Sequence, residues 1–285
     1  MKTIGLIVNS DRDIDHEYAV KVIELLTENG FSVYLHESIG CNNLAAPVVF
    51  GDSFYEKCDA LLTLGGDGTL LRVADKAALY QKPILGINLG HLGYLAQLEK
   101  SEIHFLPQLL THNTSLEYRS MLEIIIERTD GDPNRYYALN ELVLGREILS
   151  NMLHAAVFSN DEFVYEFHCD GLIFATPTGS TAYSMSSGGP IVDSGLQDII
   201  IFTPVCEHSF FSKSMIFSTK DTLSCIVTKQ PENSYLIIDG KTISSTENIK
   251  KISIRKAEYD LPLFKTSENR FYRVLNNKFS DGGNR

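Results

Sequence analysis

Three glycines and one aspartate lie between an apolar run and a helix-like pattern in the stretch LTLGGDGTLLRVA, residues 62–74. Gly65, Gly66 and Gly68 follow a predicted strand and precede a predicted helix. At that position an α/β sheet presents backbone N–H groups and the positive end of a helix to a ligand. The turn therefore suits phosphate, although it lacks the Lys and Ser/Thr of a P-loop and is not a dinucleotide-binding G-x-G-x-x-G.

The aspartate inside this turn, Asp67, needs a separate explanation, because a carboxylate repels phosphate. It could accept a proton from a hydroxyl group, or hold a metal ion beside the phosphates. The simpler alternative is a tight turn in which Asp67 only caps the helix.

Two further segments contain polar or glycine-rich positions next to predicted strands. The segment GINLGHLGYLA places Gly86, Gly90 and Gly93 after an apolar run, which predicts a second backbone-rich turn at the same carboxyl edge of the sheet. In ALNELVLG, Asn140 and Glu141 are adjacent in a strand-like stretch. An outward-facing polar pair at a strand end is the alternative there.

A third segment, DGLIFATPTGSTAYSMSSGGP at residues 170–190, combines glycines, hydroxyl side chains and one tyrosine. Hydroxyl and backbone donors around an aromatic face suit a nucleotide base and ribose. A long Ser/Gly loop is the alternative, although a loop of that length in a compact domain is usually functional.

Strand and helix signals alternate in the first part of the chain and predict the sheet that positions these turns. Helical spacing begins at Ile14 and continues to Gly30, which can adopt the left-handed cap. The predicted strands are IGLIVN, FSVYLH, DALLTL and PILGIN. The second predicted helix is LLRVADKAAL, between the third and fourth strands. This order implies a parallel sheet covered on both faces.

From about Leu116 the sequence consists of β-rich segments split by turn residues, with little helical periodicity. We therefore predict an α/β N-terminal domain with a parallel sheet and a predominantly β C-terminal domain. The expected bounds are residues 1–115 for the α/β domain and 116–262 for the β-rich domain. A C-terminal segment, 263–285, is expected to pack back on the N-terminal domain.

Composition limits the classes of partner. Within 285 residues the formal net charge is −11, which argues against nucleic-acid or anionic-membrane binding. No apolar run approaches the length of a membrane span. The five cysteines are scattered, odd in number and never in a C-x-x-C pair, so reduced thiols in the core and a cytoplasmic location are expected. They are Cys41, Cys58, Cys169, Cys206 and Cys225.

The motifs GGDGT, NLGHLGYLA, NE, and DG followed by TPTGSTAYSMSSGGP occur in this order in the NAD kinases, which this sequence closely resembles. The resemblance runs from the first strand to IDGK at residues 238–241. GGDGT alone is shared with diacylglycerol and sphingosine-type lipid kinases, and the long TPTGSTAY block makes the resemblance specific. It implies phosphoryl transfer from ATP, or in some members polyphosphate, to the adenosine-ribose 2′-hydroxyl of NAD. It also implies NAD binding by residues 116–262, Mg²⁺ or another divalent cation with the donor, and homodimers or homotetramers.

The resemblance assigns roles to individual residues. Asp67 resembles the catalytic aspartate that accepts the ribose proton, and Gly66 and Gly68 let the backbone approach the phosphates. Asn140 and Glu141 resemble the pair that holds the acceptor nucleotide.

Further positions resemble the walls of the nucleotide pocket. Asp170 corresponds to an aspartate near the nicotinamide end, and Tyr94 matches a position that is usually aromatic. No protein ligand is assigned to the metal. The adenine-side pocket is expected to contain Thr181, Ala182, Tyr183 and Ser186.

Some positions depart from the family, and two other functions stay open. Glu207 and Lys213-Ser214 replace residues of the nicotinamide-end wall, while His91 and His208 are expected to be scaffold or to line the site. A lipid kinase would carry a GTGND-like turn in place of GINLGHLG and a membrane-binding surface. A non-catalytic NAD(P) sensor is the third hypothesis. The sequence leaves donor preference, NAD against NADH selectivity and allosteric regulation open.

Overall fold

The computed structural model describes residues 2–39, 44–90, 93–111, 115–147, 151–207, 213–229, 234–245, 248–266 and 270–282. The chain divides into two compact units. The first, called the α/β unit, comprises Met1–Tyr118 and Leu261–Arg285, and the second, called the β unit, comprises Arg119–Asp260.

The α/β unit contains one sheet and the longer helices. Its strands are β1 (Thr3–Val8), β2 (Ser32–His36), β3 (Val48–Val49), β4 (Ala60–Gly65), β5 (Ile84–Asn88), β6 (Leu98–Glu99), β7 (Leu116–Arg119) and, from the end of the chain, β20 (Leu261–Phe264). Its helices are α1 (Glu17–Glu28), α2 (Asp52–Lys57), α3 (Asp67–Leu79), α4 (Leu106–Thr111) and α6 (Arg270–Gly282), with 3₁₀ turns at Glu37–Ile39 and Lys100–Phe105.

The strand order of this sheet is β3-β2-β1-β4-β5-β20-β7, with β6 beside β5. Strands β1, β2, β4, β5 and β20 pair in parallel, and β4 and β5 are buried along their whole length. Burial on both faces is what a parallel sheet requires. The predicted parallel α/β architecture is therefore confirmed.

Helix α1 begins later than its apolar spacing predicts. Ile14 lies ahead of the helix and is 79% exposed, so its place in the pattern was wrong. The Asp13 carboxylate accepts hydrogen bonds from the N–H groups of Tyr18 and Ala19, at 3.0 and 2.9 Å, and fixes the start of the helix. At the other end Gly30 adopts φ +80°, the left-handed conformation predicted for it.

The β unit is built from two antiparallel sheets. Its strands are β8 (Leu122–Arg128), β9 (Asn134–Ala138), β10 (Glu141–Arg146), β11 (Leu153–Ser159), β12 (Glu162–Cys169), β13 (Gly171–Ala175), β14 (Ile199–Val205), β15 (Met215–Ser218), β16 (Leu223–Lys229), β17 (Ser234–Ile238), β18 (Lys241–Ser245) and β19 (Ile249–Lys256). A 3₁₀ turn at Thr178–Thr181 and the short helix α5 (Tyr183–Ser186) follow β13.

The two sheets have the orders β15-β14-β13-β10-β17-β18 and β12-β11-β16-β19-β8-β9. Their inner faces share one apolar core, in which the Phe167 ring of β12 lies 4.8 Å from the Phe202 ring of β14. Alternation along β12 places Phe167 and Cys169 in this core and His168 on the outer face. The predicted β-rich architecture of this part of the chain is confirmed.

The structure tests the expectation that the cysteines are core thiols and that no segment spans a membrane. Cys58, Cys169 and Cys225 are buried, and burial raises the pKa of each thiol to about 12. Cys206 is exposed, contrary to the expectation of a core thiol, and Cys41 lies outside the described residues. Among the helices in the described ranges, none combines the length and the apolar character needed to cross a membrane.

Candidate functional site

The glycine turn lies where β4 ends and α3 begins. Gly66 is the N-cap of α3 in an extended conformation, and Asp67 is the first helical residue. The first backbone bond of the helix runs from the Thr69 N–H to the Gly66 carbonyl, at 2.9 Å. The N–H groups of Asp67 and Gly68 precede that bond and form part of the positive end of α3.

The Asp67 carboxylate is held by three successive backbone N–H groups. Oδ2 accepts from Tyr94 at 2.8 Å, and Oδ1 accepts from Leu95 and Ala96 at 3.1 Å each. A β-carbon at Gly93 would overlap this carboxylate, so only glycine allows the approach. A carboxylate has about four acceptor positions, so one position at Oδ2 is left. The N-cap of α3 is Gly66, so the alternative in which Asp67 only caps the helix is wrong; its carboxylate fixes a second segment 27 to 29 residues away.

The guanidinium of Arg12 lies against the same turn. A β-carbon at Gly66 would stand 3.0 Å from Nη1 of Arg12, and one at Gly90 would overlap that nitrogen. Arg12 is exposed and follows β1, whose carboxyl end is at the same edge of the sheet as that of β4. A glycine turn, a helix N-terminus and an arginine guanidinium are groups that can bind a phosphate group. The sequence reasoning missed Arg12, and the available signal was a basic residue four positions after the end of β1.

The second predicted turn begins later than expected. Gly86 lies inside β5, where a β-carbon would stand 2.8 Å from Cα of Ala96, so it serves strand packing and the turn prediction for it was wrong. The turn itself starts at Asn88, which pairs in register with Gly65 and thus ends at the same carboxyl edge. The Asn88 side chain exchanges hydrogen bonds with the backbone of Gly90, at 3.1 Å each. His91, in this turn, lies outside the described residues.

Tyr94 is half-buried beside the helix that ends the chain. Its ring centroid lies 6.0 Å from that of Phe271, and the Lys278 ammonium lies 4.7 Å from the Tyr94 centroid. Burial and the Asp67 charge raise the pKa of its phenol. The structure therefore brings Tyr94 together with Asp67, and places its ring against α6.

In the β unit, Asp239 fixes the segment that contains Asn140 and Glu141. Its Oδ2 accepts from the Leu139 N–H at 2.7 Å, and its Oδ1 accepts from the N–H groups of Asn140 and Glu141 at 2.8 and 3.1 Å. Asp239 belongs to the IDGK segment, for which the sequence analysis predicts no role. The contact spans about a hundred residues, and no local pattern indicates it.

Glu141 opens β10 and Asn140 precedes it, and both side chains are buried, at 7% and 9% exposure. The outward-facing polar pair is thereby excluded. The Tyr183 N–H donates to the Glu141 carboxylate, while Oε2 is buried with no hydrogen-bond partner in the described part of the chain. Burial and the Asp239 charge raise the pKa of Glu141. A buried acceptor without a donor is a position that a ligand hydroxyl or amine can fill.

Residues 176–189 include a 3₁₀ turn at Thr178–Thr181 and the short helix α5, so this segment is not a long loop without secondary structure. Its buried hydroxyls hold the segment in place: Thr176 Oγ1 donates to the Leu139 carbonyl at 2.5 Å, and Ser180 Oγ donates to the Val192 carbonyl at 3.0 Å. A β-carbon at Gly179 would overlap the Asn140 carbonyl. The segment is thus packed directly on the Asn140–Glu141 backbone.

The four residues predicted for the adenine-side pocket lie at the end of this turn and in α5. Tyr183 is 45% exposed and Ser186 is exposed, while Thr181 and Ala182 are half-buried. The Thr181 hydroxyl donates to the Thr178 carbonyl at 3.4 Å. The contact from Tyr183 to Glu141 joins this group to the Asn140–Glu141 pair.

Asp170 lines a cavity of about 230 Å³ together with Tyr183 and Tyr235. Its Oδ1 accepts from Nε and Nη2 of Arg146, at 2.8 and 2.7 Å. A β-carbon at Gly145 would stand 2.7 Å from the Tyr235 ring, so the glycine admits that ring to the wall of the cavity. The structure thus brings Asp170 and Tyr183 to one cavity and adds Arg146 and Tyr235, which the sequence reasoning did not select.

The family departures lie on the same unit. Both carboxylate oxygens of Glu207 are buried, which excludes a carboxylate that points to solvent. Lys213 and Ser214 line a cavity of about 470 Å³ together with Gly188 and Pro190. His208 lies outside the described residues.

We assign no protein carboxylate as a ligand of Mg²⁺. The carboxylate of the glycine turn, Asp67, already accepts three N–H groups. The residues present fit a cation that is held mainly by donor phosphates and water, which is the usual mode for Mg²⁺.

Family comparisons agree with this arrangement. The model of the ATP-NAD kinase N-terminal domain matches residues 4–114, and that of the ATP-NAD kinase C-terminal domain matches residues 139–266. The NAD kinase of Caldanaerobacter subterraneus subsp. tengcongensis is 34% identical over 99% of this chain and 100% of its own length. The NAD kinase of Carboxydothermus hydrogenoformans is 37% identical over 81% of this chain and 82% of its own length.

Solved structures share the fold. Yeast NADH kinase in complex with NADH superimposes with a TM-score of 0.88 at 23% identity, covering 98% of this chain and 88% of the yeast chain. The NAD kinase of Archaeoglobus fulgidus in complex with ATP gives a TM-score of 0.75 at 24% identity, covering 96% and 97%. Since both family models and full-length relatives match, the chain belongs to the ATP-NAD kinase family.

Proposed function

We propose that this chain transfers the terminal phosphoryl group of ATP to the 2′-hydroxyl of the adenosine ribose of NAD, which yields NADP. The observation that carries the proposal is the Asp67 carboxylate, fixed by three N–H groups at the N-terminus of α3. Family membership supplies the reaction, and this geometry supplies the residue that acts on the hydroxyl.

The α/β unit contributes the phosphate contacts. The N–H groups of Asp67 and Gly68 and the guanidinium of Arg12 are the donors for the phosphates of the reacting groups. Gly66 lets the backbone approach, because it has no side chain between the phosphate and Arg12. A bound Mg²⁺ would neutralise charge on the donor phosphates.

Asp67 orients the attacking hydroxyl and accepts its proton through the remaining position at Oδ2. A ribose hydroxyl is far less acidic than a carboxylic acid, so complete deprotonation before attack is unfavourable. In a loose phosphoryl-transfer transition state the hydroxyl becomes acidic late, as the new P–O bond forms, and the proton moves then. Such positioned proton transfer contributes about 10²–10⁴ in rate.

The β unit contributes the nucleotide contacts. The buried, unpartnered Oε2 of Glu141 accepts a hydrogen bond from a hydroxyl of NAD, and the buried Asn140 amide offers a donor and an acceptor beside it. The exposed ring of Tyr183 provides an aromatic face for the adenine, with Thr181, Ala182 and Ser186 around it. Asp170, which pairs with Arg146, is the residue that we propose for the nicotinamide end.

The test is NADP formation by the purified chain with NAD, Mg²⁺ and ATP, read by an NADP-specific dehydrogenase. Two matched reactions replace NAD, one with NADH and the other with diacylglycerol. A third reaction omits ATP. NADP formation that requires both ATP and NAD supports the proposal. Phosphorylation of diacylglycerol instead would show a lipid kinase, and NAD binding without NADP formation would show a sensor. The full-length relatives are NAD kinases, which disfavours both alternatives.

Several finer features belong to the same proposal. Polyphosphate is a second donor to be assayed beside ATP, since Thr69 follows the glycine turn as in family members that use it. The free buried thiols fit a reducing cytoplasm, and a homodimer or homotetramer is the expected assembly. Light scattering coupled to gel filtration measures the assembly directly.

A further inference from the structure

A second group of ligating side chains lies on the outer face of the β unit. His154 on β11 and His168 on β12 are directly opposite in the antiparallel register, and Glu166 stands two residues before His168 on the same face. His168 and Glu166 are exposed and His154 is half-buried. No step of the proposed phosphoryl transfer uses these three residues.

The three side chains already lie close together. One ligand atom of each falls within 4.8 Å of the other two, and the imidazole centroids are 4.0 Å apart with their planes inclined by 31°. A tetrahedral zinc ion with ligands at about 2.0–2.1 Å requires ligand atoms roughly 3.3 Å apart. Small side-chain rotations on the two fixed strands close that difference.

Strand β16, which pairs with β11 on the side away from β12, holds the Glu166 carboxylate. Thr228 Oγ1 on β16 donates to Glu166 Oε1 at 2.6 Å, which leaves the other carboxylate oxygen for a ligand bond. Hydrogen-bonded carboxylates of this kind are typical support for metal ligands.

One cationic side chain lies beside these three residues. Lys229 pairs in register with His154 and its ammonium opposes a cation, so the Glu166 carboxylate is needed to balance it.

We infer that His154, Glu166 and His168 form a binding site for a borderline divalent cation of the zinc type, which ties the edge strand β12 to β11. Two imidazoles and one carboxylate are the donor set that zinc accepts, and the set does not suit Mg²⁺. Water completes the coordination. A metal ion there strengthens the pairing of β12, which is the end strand of this sheet in the part of the chain that the structure describes.

The experiment is a titration of the untagged, metal-free, full-length chain with Zn²⁺ against a chromophoric chelator. Cobalt is the spectroscopic probe, since its visible absorption distinguishes tetrahedral from octahedral coordination. We expect one Zn²⁺ per chain and a tetrahedral Co²⁺ spectrum without a thiolate charge-transfer band. His168→Gln and His154→Gln should each weaken binding at least tenfold, and Glu166→Gln should weaken it less.

Matched variants separate this site from other ligands. His104→Gln removes an exposed imidazole in the α/β unit, and Cys206→Ser removes the exposed thiol, so both should bind Zn²⁺ as the wild type does. His168 is exposed, so its variant is expected to fold, which circular dichroism verifies. Stoichiometric binding that survives His154→Gln and His168→Gln together, or no binding by the wild type, would overturn the inference.

Discussion

Two carboxylates, one in each unit, differ in how the protein satisfies them. Asp67 in the α/β unit receives three backbone N–H groups and keeps one acceptor position. Glu141 in the β unit is buried with one oxygen unpartnered in the described structure, and lies near a second carboxylate, Asp239. The first is ordered without a ligand, whereas the second is costly until a ligand donates to it.

The difference suggests a division of labour. A carboxylate whose orientation is fixed in advance needs no reorganisation during reaction, which is what proton acceptance requires. A buried carboxylate with an unfilled acceptor gains most from a bound hydroxyl, which is what recognition requires. We therefore assign chemistry to Asp67 and recognition of NAD to Glu141.

The largest expected effect is on turnover in Asp67→Asn. The amide keeps the size of the side chain and removes the proton acceptor, so kcat should fall by about 10²–10⁴. Its NH₂ group also faces one of the three N–H donors, which costs about 1–3 kcal/mol of stability. Steady-state kinetics and thermal unfolding are measured on the same preparation.

Two variants sharpen that result. Asp52→Asn removes an exposed carboxylate of the α/β unit, paired with Lys76, and should leave kcat within twofold of wild type. Gly93→Ala retains Asp67 but places a β-carbon against its carboxylate, so kcat should fall although the acid is present. Normal turnover in Gly93→Ala would show that the orientation of Asp67 is unimportant.

The next effect is on the pH dependence of stability, through Glu141. Burial and Asp239 raise its pKa in the folded protein from 4.5 to about 8. Between pH 4.5 and about 8 the folded state therefore binds more protons than the unfolded state. The free energy of unfolding falls as the pH rises through this range. Glu141→Gln should remove part of the fall, on the order of 2 kcal/mol.

Urea unfolding of the ligand-free protein between pH 5 and 8 measures this slope. The exposed Glu162→Gln, on β12, is the matched control and should retain the wild-type slope. Burial also raises the pKa of Asp239. In both proteins Asp239 therefore contributes to the decrease in the free energy of unfolding with rising pH. An identical slope in Glu141→Gln and wild type would contradict a strained Glu141.

A third prediction concerns the aromatic face in the β unit. Tyr183→Ala should weaken NAD binding by about 1–3 kcal/mol, the range for bases stacked on aromatic side chains. Calorimetric titration of NAD measures it, with Tyr118→Ala, a similarly exposed tyrosine, as the control. Wild-type affinity for NAD in folded Tyr183→Ala would show that Tyr183 does not contact the adenine.

The smallest effect is expected for Arg12 in the α/β unit. Arg12→Ala should raise the KM for ATP several-fold, because an exposed guanidinium contributes roughly 1 kcal/mol to a phosphate contact. Lys21→Ala, an exposed cation paired with Glu17, should leave that KM unchanged. An equal KM in both variants would place Arg12 outside the phosphate site.

The sequence predicts best those features that depend on neighbouring residues. The alternation of apolar runs and helical spacing predicts β4, α3 and β5, and the glycines locate the turn at Asp67. Gly86 and Ile14 show the limit, because a glycine required by packing resembles a glycine required by a turn, and an apolar residue one turn ahead of a helix resembles its first residue.

Contacts between distant residues are what sequence alone does not provide. The N–H groups that hold Asp67 come from residues 94–96, and those that Asp239 accepts come from residues 139–141. In TPTGSTAYSMSS the composition indicates hydroxyl donors for a ligand, yet Thr176 and Ser180 use theirs to fix the backbone. Only the fold shows which hydroxyls are already engaged.

The central claim, that Asp67 acts in chemistry and Glu141 in recognition, is tested most directly by calorimetric titration of NAD into Asp67→Asn and Glu141→Gln without a phosphate donor. We predict an affinity within about twofold of wild type for Asp67→Asn, and binding roughly tenfold weaker for Glu141→Gln, in which an NH₂ group replaces one of the two carboxyl oxygens. Weak binding by Asp67→Asn together with wild-type binding by Glu141→Gln would contradict the account.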